Sequence, residues 1–350
     1  MAAKRVGIYG SYQYGNFGDD LQAVIIGRRL LANGCTPVFY RLSEDLAKKY
    51  GFETVQSIPE LVKHAAFCLM GGGGNFRSSY ANPSELWIGI DEECFELKNA
   101  LEEHECNLYS VSVGGDGSGE HTPLRYGRAQ LLASERFRGG TVRLPQDVAL
   151  LNAYGKEAAT HPDLLWMTPK EWPAGELPKD ARPKIGVNLD LRRGYRRFVK
   201  SLMAFSKFWD AELTFIRLHR PEYGLKFAWQ PERETGRLRG LTYEEMEPFL
   251  QHVFELDLLI SSRLHLGLVA MGYGGRFISM GGEAKTRAFL HSIGMEEDIL
   301  KLKTRRDSIT SAWRLLRESR SYERRDYSDE IEKAGGHLAF LDRLCNGDAA

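Results

Sequence analysis

A chain of 350 residues exceeds what one hydrophobic core usually organises, which predicts two domains of about 150 residues each. Hydrophobic residues at 43% and charged residues at 27% exclude a disordered chain and a fibrous repeat. The 47 Lys and Arg balance the 47 Asp and Glu, so the whole-chain charge points to no nucleic-acid or membrane partner and any anion site must be local.

In the first half, apolar runs at 5–10, 37–41, 67–70, 107–113 and 141–144 predict strands. Helical patterns lie between them at 20–32, 59–64, within 83–103, at 124–136 and at 147–154. That alternation is the signature of βαβ units on a mostly parallel sheet, a Rossmann-like α/β domain over 1–167. Four prolines without apolar periodicity mark 168–183 as a linker. The pattern then restarts, with strands at 185–189, 213–218, 256–261 and 276–280 and helices at 195–209, 243–254, 264–271 and 285–293. A second Rossmann-like domain is expected over 184–305, followed by C-terminal helices over 306–350 that cross back toward the first domain. Two such domains present their strand ends, and therefore their ligands, to a cleft. The basic tract Arg182, Lys184, Arg192, Arg193, Arg196 and Arg197 reads as a strand followed by a solvated helix face.

Five cysteines without a CxxC pair predict neither a zinc site nor a disulfide framework, and so a reducing, cytoplasmic setting. The histidines have no ligand spacing, so no metal is expected. The apolar run near the start is too short for a secretory signal, and no stretch of about 18 uncharged apolar residues predicts a membrane span.

Four segments could carry chemistry. Between the first strand and helix lies Gly15-Asn16-Phe17-Gly18-Asp19-Asp20, whose glycines permit close backbone approach beside free helix-start N–H groups. It is neither a GxGxxG fingerprint nor a Walker loop. Asp19 reads either as a ligand contact or as a cap with Gln22 as its reciprocal partner. Gly71-Gly72-Gly73-Gly74-Asn75 follows a strand, where ligand contact is the favoured use of four glycines, and Gly114 to Gly117 repeats the design.

The third segment, Ser261-Ser262-Arg263-Leu264-His265, ends a buried strand and opens an apolar helix. Cations at a helix start call for an anion, and serine hydroxyls, a guanidinium and an imidazole would complete a phosphate site. Arg263 and His265 converge only if the helical turn runs through Arg263; the bland reading pairs Arg263 with Asp257 and buries the histidine. Gly281-Gly282-Glu283-Ala284-Lys285 is the fourth, offering a hydroxyl acceptor and a cation or an exposed first-turn pair. His219, flanked by Arg217 and Arg220, is the remaining cleft candidate.

The early Asn16-x-Gly18-Asp19 with the late Arg263-Leu264-His265 and Gly281 to Lys285 resembles the polysaccharide pyruvyl transferase family. Gly71 to Gly74 and His161-Pro162-Asp163 sit in the order that family has. The family often places proline after the Arg-Leu-His helix, where this chain reads Gly272-Tyr273-Gly274-Gly275. The resemblance implies a glycosyltransferase-B-like fold and transfer of pyruvate from phosphoenolpyruvate to two sugar hydroxyls as a cyclic ketal, with no cofactor beyond that donor. It implies donor contacts at Arg263 and His265, to which the residues add Ser261, Ser262, Glu283 and Lys285. Acceptor contacts are expected at Gly15, Asn16, Gly18, Asp19, Gly72, Gly73, Gly74 and Asn75, and the catalytic set is Arg263, His265 and Asp19. A lipid-linked acceptor would be met at the inner face of the membrane. Two other readings stay open: a nucleotide-sugar-dependent glycosyltransferase with Glu283 on the ribose, and a non-catalytic glycan-binding protein.

Overall fold

A computed structural model describes residues 3–77, 85–115, 124–177, 182–189, 193–223, 239–282 and 284–348. Contacts divide the chain into two units. The first comprises Met1–Gly15, Asp19–Leu164 and Asp329–Ala350, and the second Asn16–Gly18 and Leu165–Ser328.

The first unit runs β1 (Lys4–Tyr9), α1 (Phe17–Ala32), β2 (Cys35–Tyr40), α2 (Glu44–Tyr50), β3 (Glu53–Val55), α3 (Ile58–Lys63), β4 (Phe67–Gly71) and α4 (Glu85–Glu103). It continues through β5 (Leu108–Val113), α5 (Tyr126–Ala133), β6 (Phe137–Val142), α6 (Pro145–Ala153) and β7 (Ala158–Thr160). The strands are parallel, in the order β3-β2-β1-β4-β5-β6-β7. Helices on both faces explain why β4 is buried at every position and reads as a continuous apolar run. Ser43 and Ser57 cap α2 and α3 by accepting from Leu46 N–H and Glu60 N–H, each at 3.4 Å.

In the second unit, Leu165 opens a short stretch that includes α7 (Thr168–Glu171), so the first residues of the proline-rich segment are helical, and Thr168 is fully buried. There follow β8 (Lys184–Asn188), α8 (Arg193–Ser206), β9 (Glu212–Arg217), β10 (Arg239–Thr242), α9 (Met246–Phe254), β11 (Leu258–Ser261), α10 (Leu264–Gly272), β12 (Arg276–Met280), α11 (Ala284–Ser292), β13 (Ile299–Leu300) and α12 (Arg305–Ser319). This sheet is parallel in the order β10-β9-β8-β11-β12-β13. Its core joins Ile185, Val187 and Ile260 of the strands to Phe198, Val199 and Leu202 of α8 and Ala312, Leu315 and Leu316 of α12. Both units are Rossmann-like sheets whose strand order reverses beside the first strand.

The last helix, α13 (Ser328–Asn346), belongs from Asp329 onward to the first unit. Arg29 Nε donates to Asp342 at 2.7 Å and Lys4 Nζ to the Cys345 carbonyl at 2.8 Å. Buried His337 donates from Nε2 to the Pro162 carbonyl at 3.0 Å and accepts at Nδ1 from the Thr141 hydroxyl at 2.7 Å. A neutral imidazole satisfies both partners, and burial pushes its pKa down to about 3.

Several expected elements shift. The strand expected at 141–144 is β6, Phe137–Val142: Gly139 and Gly140, both at positive φ, hid its first residues. The helix expected from Asp20 starts at Phe17. Strands β3, β7, β10 and β13, of two to four residues each, lie toward the sheet edges and carry no apolar run long enough to announce them. Helix α2, only seven residues long, likewise lies outside the expected elements. All five cysteines are buried free thiols. Among the described residues no helix is long and apolar enough to cross a membrane, and no group of three or more His, Cys, Asp or Glu is placed to hold a metal ion.

Candidate functional site

In the second unit the strand order reverses between β8 and β11, the place where open parallel sheets bind ligands beyond their carboxyl ends. There the Ser261 hydroxyl lies 3.0 Å from Asn188 Oδ1 and accepts from Arg263 N–H at 2.9 Å, while Ser262 N–H donates to the Asn188 carbonyl at 2.9 Å. Both serines are buried and engaged in closing the turn, and Asn188 was not singled out from the sequence. Arg263 is the N-cap of α10 with extended backbone, φ −107° and ψ 126°, and is exposed. The helical turn therefore does not run through it. The alternative pairing with Asp257 does not form: Asp257 stands at the opposite end of β11, accepting from Lys184 N–H at 2.8 Å with Arg324 at 3.7 Å.

His265, half-buried in the first turn of α10, packs on Gly18 so closely that a Cβ there would lie 2.6 Å from its own Cβ. Only glycine fits. Two residues earlier, Asn16 caps α1 by accepting from Gly18 N–H at 3.0 Å and meets His219 Nε2 through Nδ2 at 3.1 Å. Phe17 N–H donates to the Leu218 carbonyl at 2.8 Å, and its ring packs 5.4 Å from Tyr243 and 4.6 Å from Phe249. Two residues span at most about 7 Å, so His219 and His265 flank one tripeptide. Arg217 and Arg220, nearly buried, stack on Phe215 and Tyr243 with centroid distances of 5.4 and 5.3 Å. The carboxyl ends of β9 and β11, on either side of β8, thus carry guanidinium and imidazole groups, and α10 opens directly after β11; cations and helix-start amides are groups suited to a phosphate or carboxylate.

The expected capping of α1 by Asp19 and Gln22 is corrected: Asn16 is the cap, Asp19 lies half-buried in the first turn, and Gln22 is committed elsewhere. Lys285 lies half-buried in the first turn of α11, whereas Glu283 and residues 116–117 fall outside the described residues.

In the first unit the turn after β4 closes on itself. Gly72 and Gly73 have φ of 59° and 69°, and a side chain at Gly72 would collide with Gln22. Gly73 N–H donates to Gln22 Oε1 at 3.0 Å, Gln22 Nε2 to Asp163 at 3.3 Å, and Arg143 to Asp163 and to the Gly73 carbonyl, both at 2.6 Å. Asn75, buried, holds the Gly72 carbonyl at 3.3 Å, and Gly74 is half-exposed. Gly72 and Gly73 are thus required by this internal network, whereas Gly74 has open space around it. The strand expected at 141–144 would hold Arg143 within it, whereas β6 ends at Val142 and Arg143 follows that end, where it is free to reach the turn. Buried Tyr12 donates to the Gly71 carbonyl at 2.9 Å; burial, with Asp19 and Asp20, raises its pKa and keeps it a neutral donor. Gly15 ends the preceding turn at φ 53°.

No protein-family model and no curated protein matches the chain by sequence. Solved structures match over nearly its whole length. UDP-GlcNAc 2-epimerase from Methanocaldococcus jannaschii is 10% identical with a TM-score of 0.65, covering 98% of this chain and 100% of that one. The S. aureus MnaA–UDP co-structure is 11% identical with a TM-score of 0.63, covering 98% and 97%. The glycotransferase of kitacinnamycin is 10% identical with a TM-score of 0.56, covering 99% and 100%. With its two parallel Rossmann-like sheets, the chain therefore has the glycosyltransferase-B-like fold that UDP-GlcNAc 2-epimerases share with glycosyltransferases.

Proposed function

We propose that this chain is a polysaccharide pyruvyl transferase, moving pyruvate from phosphoenolpyruvate to two hydroxyls of a sugar in a glycan or glycan precursor. The observation that carries the reading is the packing of Gly18 on His265 with Asn16 on His219, because it joins the two segments that resemble that family. The donor brings a phosphate and a carboxylate, which match the cations around Arg263 and His219 and the amides opening α10.

In this reaction the enol C3 takes a proton, C2 becomes an oxocarbenium-like centre, and a sugar hydroxyl adds there as the C2–O bond to phosphate breaks. The second hydroxyl completes the ketal. Of the two hydroxyl protons, one balances the new methyl group and the other leaves with phosphate. Arg263 would hold the phosphate, with Ser261 and Ser262 fixing the backbone on which it stands. His265 would hold the donor or pass its proton, Lys285 and Glu283 would complete the donor side, and Asp19 would take a proton from the acceptor. Gly15, Asn16, Gly72 to Gly74 and Asn75 act by shaping the loops. No metal or further cofactor enters this chemistry.

A second reading, a nucleotide-sugar-dependent glycosyltransferase or epimerase, draws on the fold shared with proteins solved with UDP. Incubation with phosphoenolpyruvate and candidate sugars separates the two. Acceptor-dependent release of phosphate and a ketal product support pyruvyl transfer, whereas turnover of a UDP-sugar with none of phosphoenolpyruvate refutes it.

A further inference from the structure

Helices α8 and α12 pack side by side on the second sheet and join four aromatic rings at one surface. The Trp313 ring lies 5.2 Å from Phe205, 5.0 Å from Phe208 and 5.0 Å from Trp209. Phe208 is 68% exposed, and Ile309, one turn before Trp313 on α12, is exposed beside it. Water gains nothing by contact with such a patch, and aromatic rings of this kind favour the boundary between headgroups and acyl chains.

The charge around it is as uneven as the whole chain is balanced. Residues 193–209 contain five Lys or Arg and no carboxylate, and residues 301–320 contain seven against Asp307 and Glu318. A chain of zero net charge thus concentrates an excess of ten cations in two adjacent helices and their ends. Arg197, Lys200 and Lys207 on one side, and Arg306, Arg314 and Arg317 on the other, are all exposed. We propose that the α8–α12 surface docks on an anionic lipid bilayer, with Phe208, Trp313 and Ile309 entering the headgroup boundary and the surrounding cations meeting lipid phosphates. The inference is independent of the proposed reaction.

The test is co-sedimentation of the full chain with vesicles of phosphatidylcholine alone or containing about one third phosphatidylglycerol. Binding is expected to the second only, and to weaken at least about tenfold when salt is raised to about 0.5 M. Phe208→Ser should reduce affinity by about tenfold or more, and Arg314→Gln with Arg317→Gln by about five-fold each. Arg314 and Arg317 are exposed, so their replacement should leave the melting temperature unchanged, whereas Phe208→Ser loses its ring contacts with Trp209 and Trp313 and should lower it without unfolding the chain. Failure to bind anionic vesicles, equal binding to neutral ones, or indifference to Phe208→Ser overturns the proposal. So does a concentration-dependent dimer that Phe208→Ser dissolves without any vesicle binding, which would give the patch to a second copy of the chain.

Discussion

Replacing Gly18 with alanine tests the join between the two motif segments. Gly18 lies in the first turn of α1, where alanine is favoured over glycine by up to about 1 kcal/mol on helix propensity alone. Against that, the added Cβ would stand 2.6 Å from His265 Cβ and 2.7 Å from its Cγ, where carbon contacts normally settle at about 3.5–4.0 Å. Relieving the overlap demands a shift of about 1 Å. Overpacking of this kind costs about 1–3 kcal/mol, which exceeds the propensity gain. The backbone of α10 fixes His265 Cβ, so turning the ring does not relieve the overlap and one of the two segments must shift as a whole. Stability should fall by no more than about 2 kcal/mol, while a 1 Å displacement of a positioned group should lower turnover on the order of a hundredfold. Thermal melting and acceptor-dependent phosphate release measure the two effects. The control is Gly89→Ala in α4, where nothing lies within 4 Å and stabilisation of about 0.5–1 kcal/mol is expected. If Gly18→Ala stabilises the protein as Gly89→Ala does and keeps its turnover, the packing of Gly18 on His265 has no bearing on function.

Three further outcomes follow from named contacts. Arg263→Ala should leave the melting temperature unchanged, because the side chain is exposed, yet weaken phosphoenolpyruvate binding about a hundredfold through loss of charge-assisted hydrogen bonds; calorimetric titration reads both arms. Arg143→Ala removes the cation paired with the buried carboxylate of Asp163, leaving Gln22 as a neutral donor to it, and should cost about 3 kcal/mol in urea unfolding, with the double variant Arg143→Ala, Asp163→Ala recovering part of it. His337 has a folded pKa near 3, below its unfolded value, so the unfolded state binds the extra proton. Stability is therefore full above about pH 6.5 and lost as pH falls toward 3. Asp163 favours the imidazolium whereas His161 and Arg143 oppose it. Urea midpoints across that range should flatten in His337→Gln, and an unchanged profile refutes the assignment.

The sequence made the architecture legible where the physics is local. Apolar runs separated by helical periods identified both parallel sheets, because strands covered on two faces have nowhere to put polar residues. It also pointed at both segments that meet at His265, since glycine beside a helix start and arginine ahead of an apolar helix are each unusual in isolation. Short edge strands such as β10 and β13 stayed hidden, because their pairing comes from a neighbour already in place. The start of α1, three residues ahead of the expected Asp20, has a similar cause: Phe17 is held by Tyr243 and Phe249, more than 200 residues away in the chain.

The tertiary structure decided the rest. Parallel strands look alike as sequences, so nothing local reveals that β8 lies beside β11 or that Asn188 meets Ser261 and Ser262 at the point of reversal. The glycines at 72 and 73 were visible as glycines, but their partners Gln22, Arg143 and Asp163 come from three distant segments. The charge on α8 and α12 was countable residue by residue, and became a single surface only when their apolar faces met over Leu202 and Leu315. Local sequence sets which elements form; which side chains share a site depends on long-range packing, whose entropic cost no short window of sequence records.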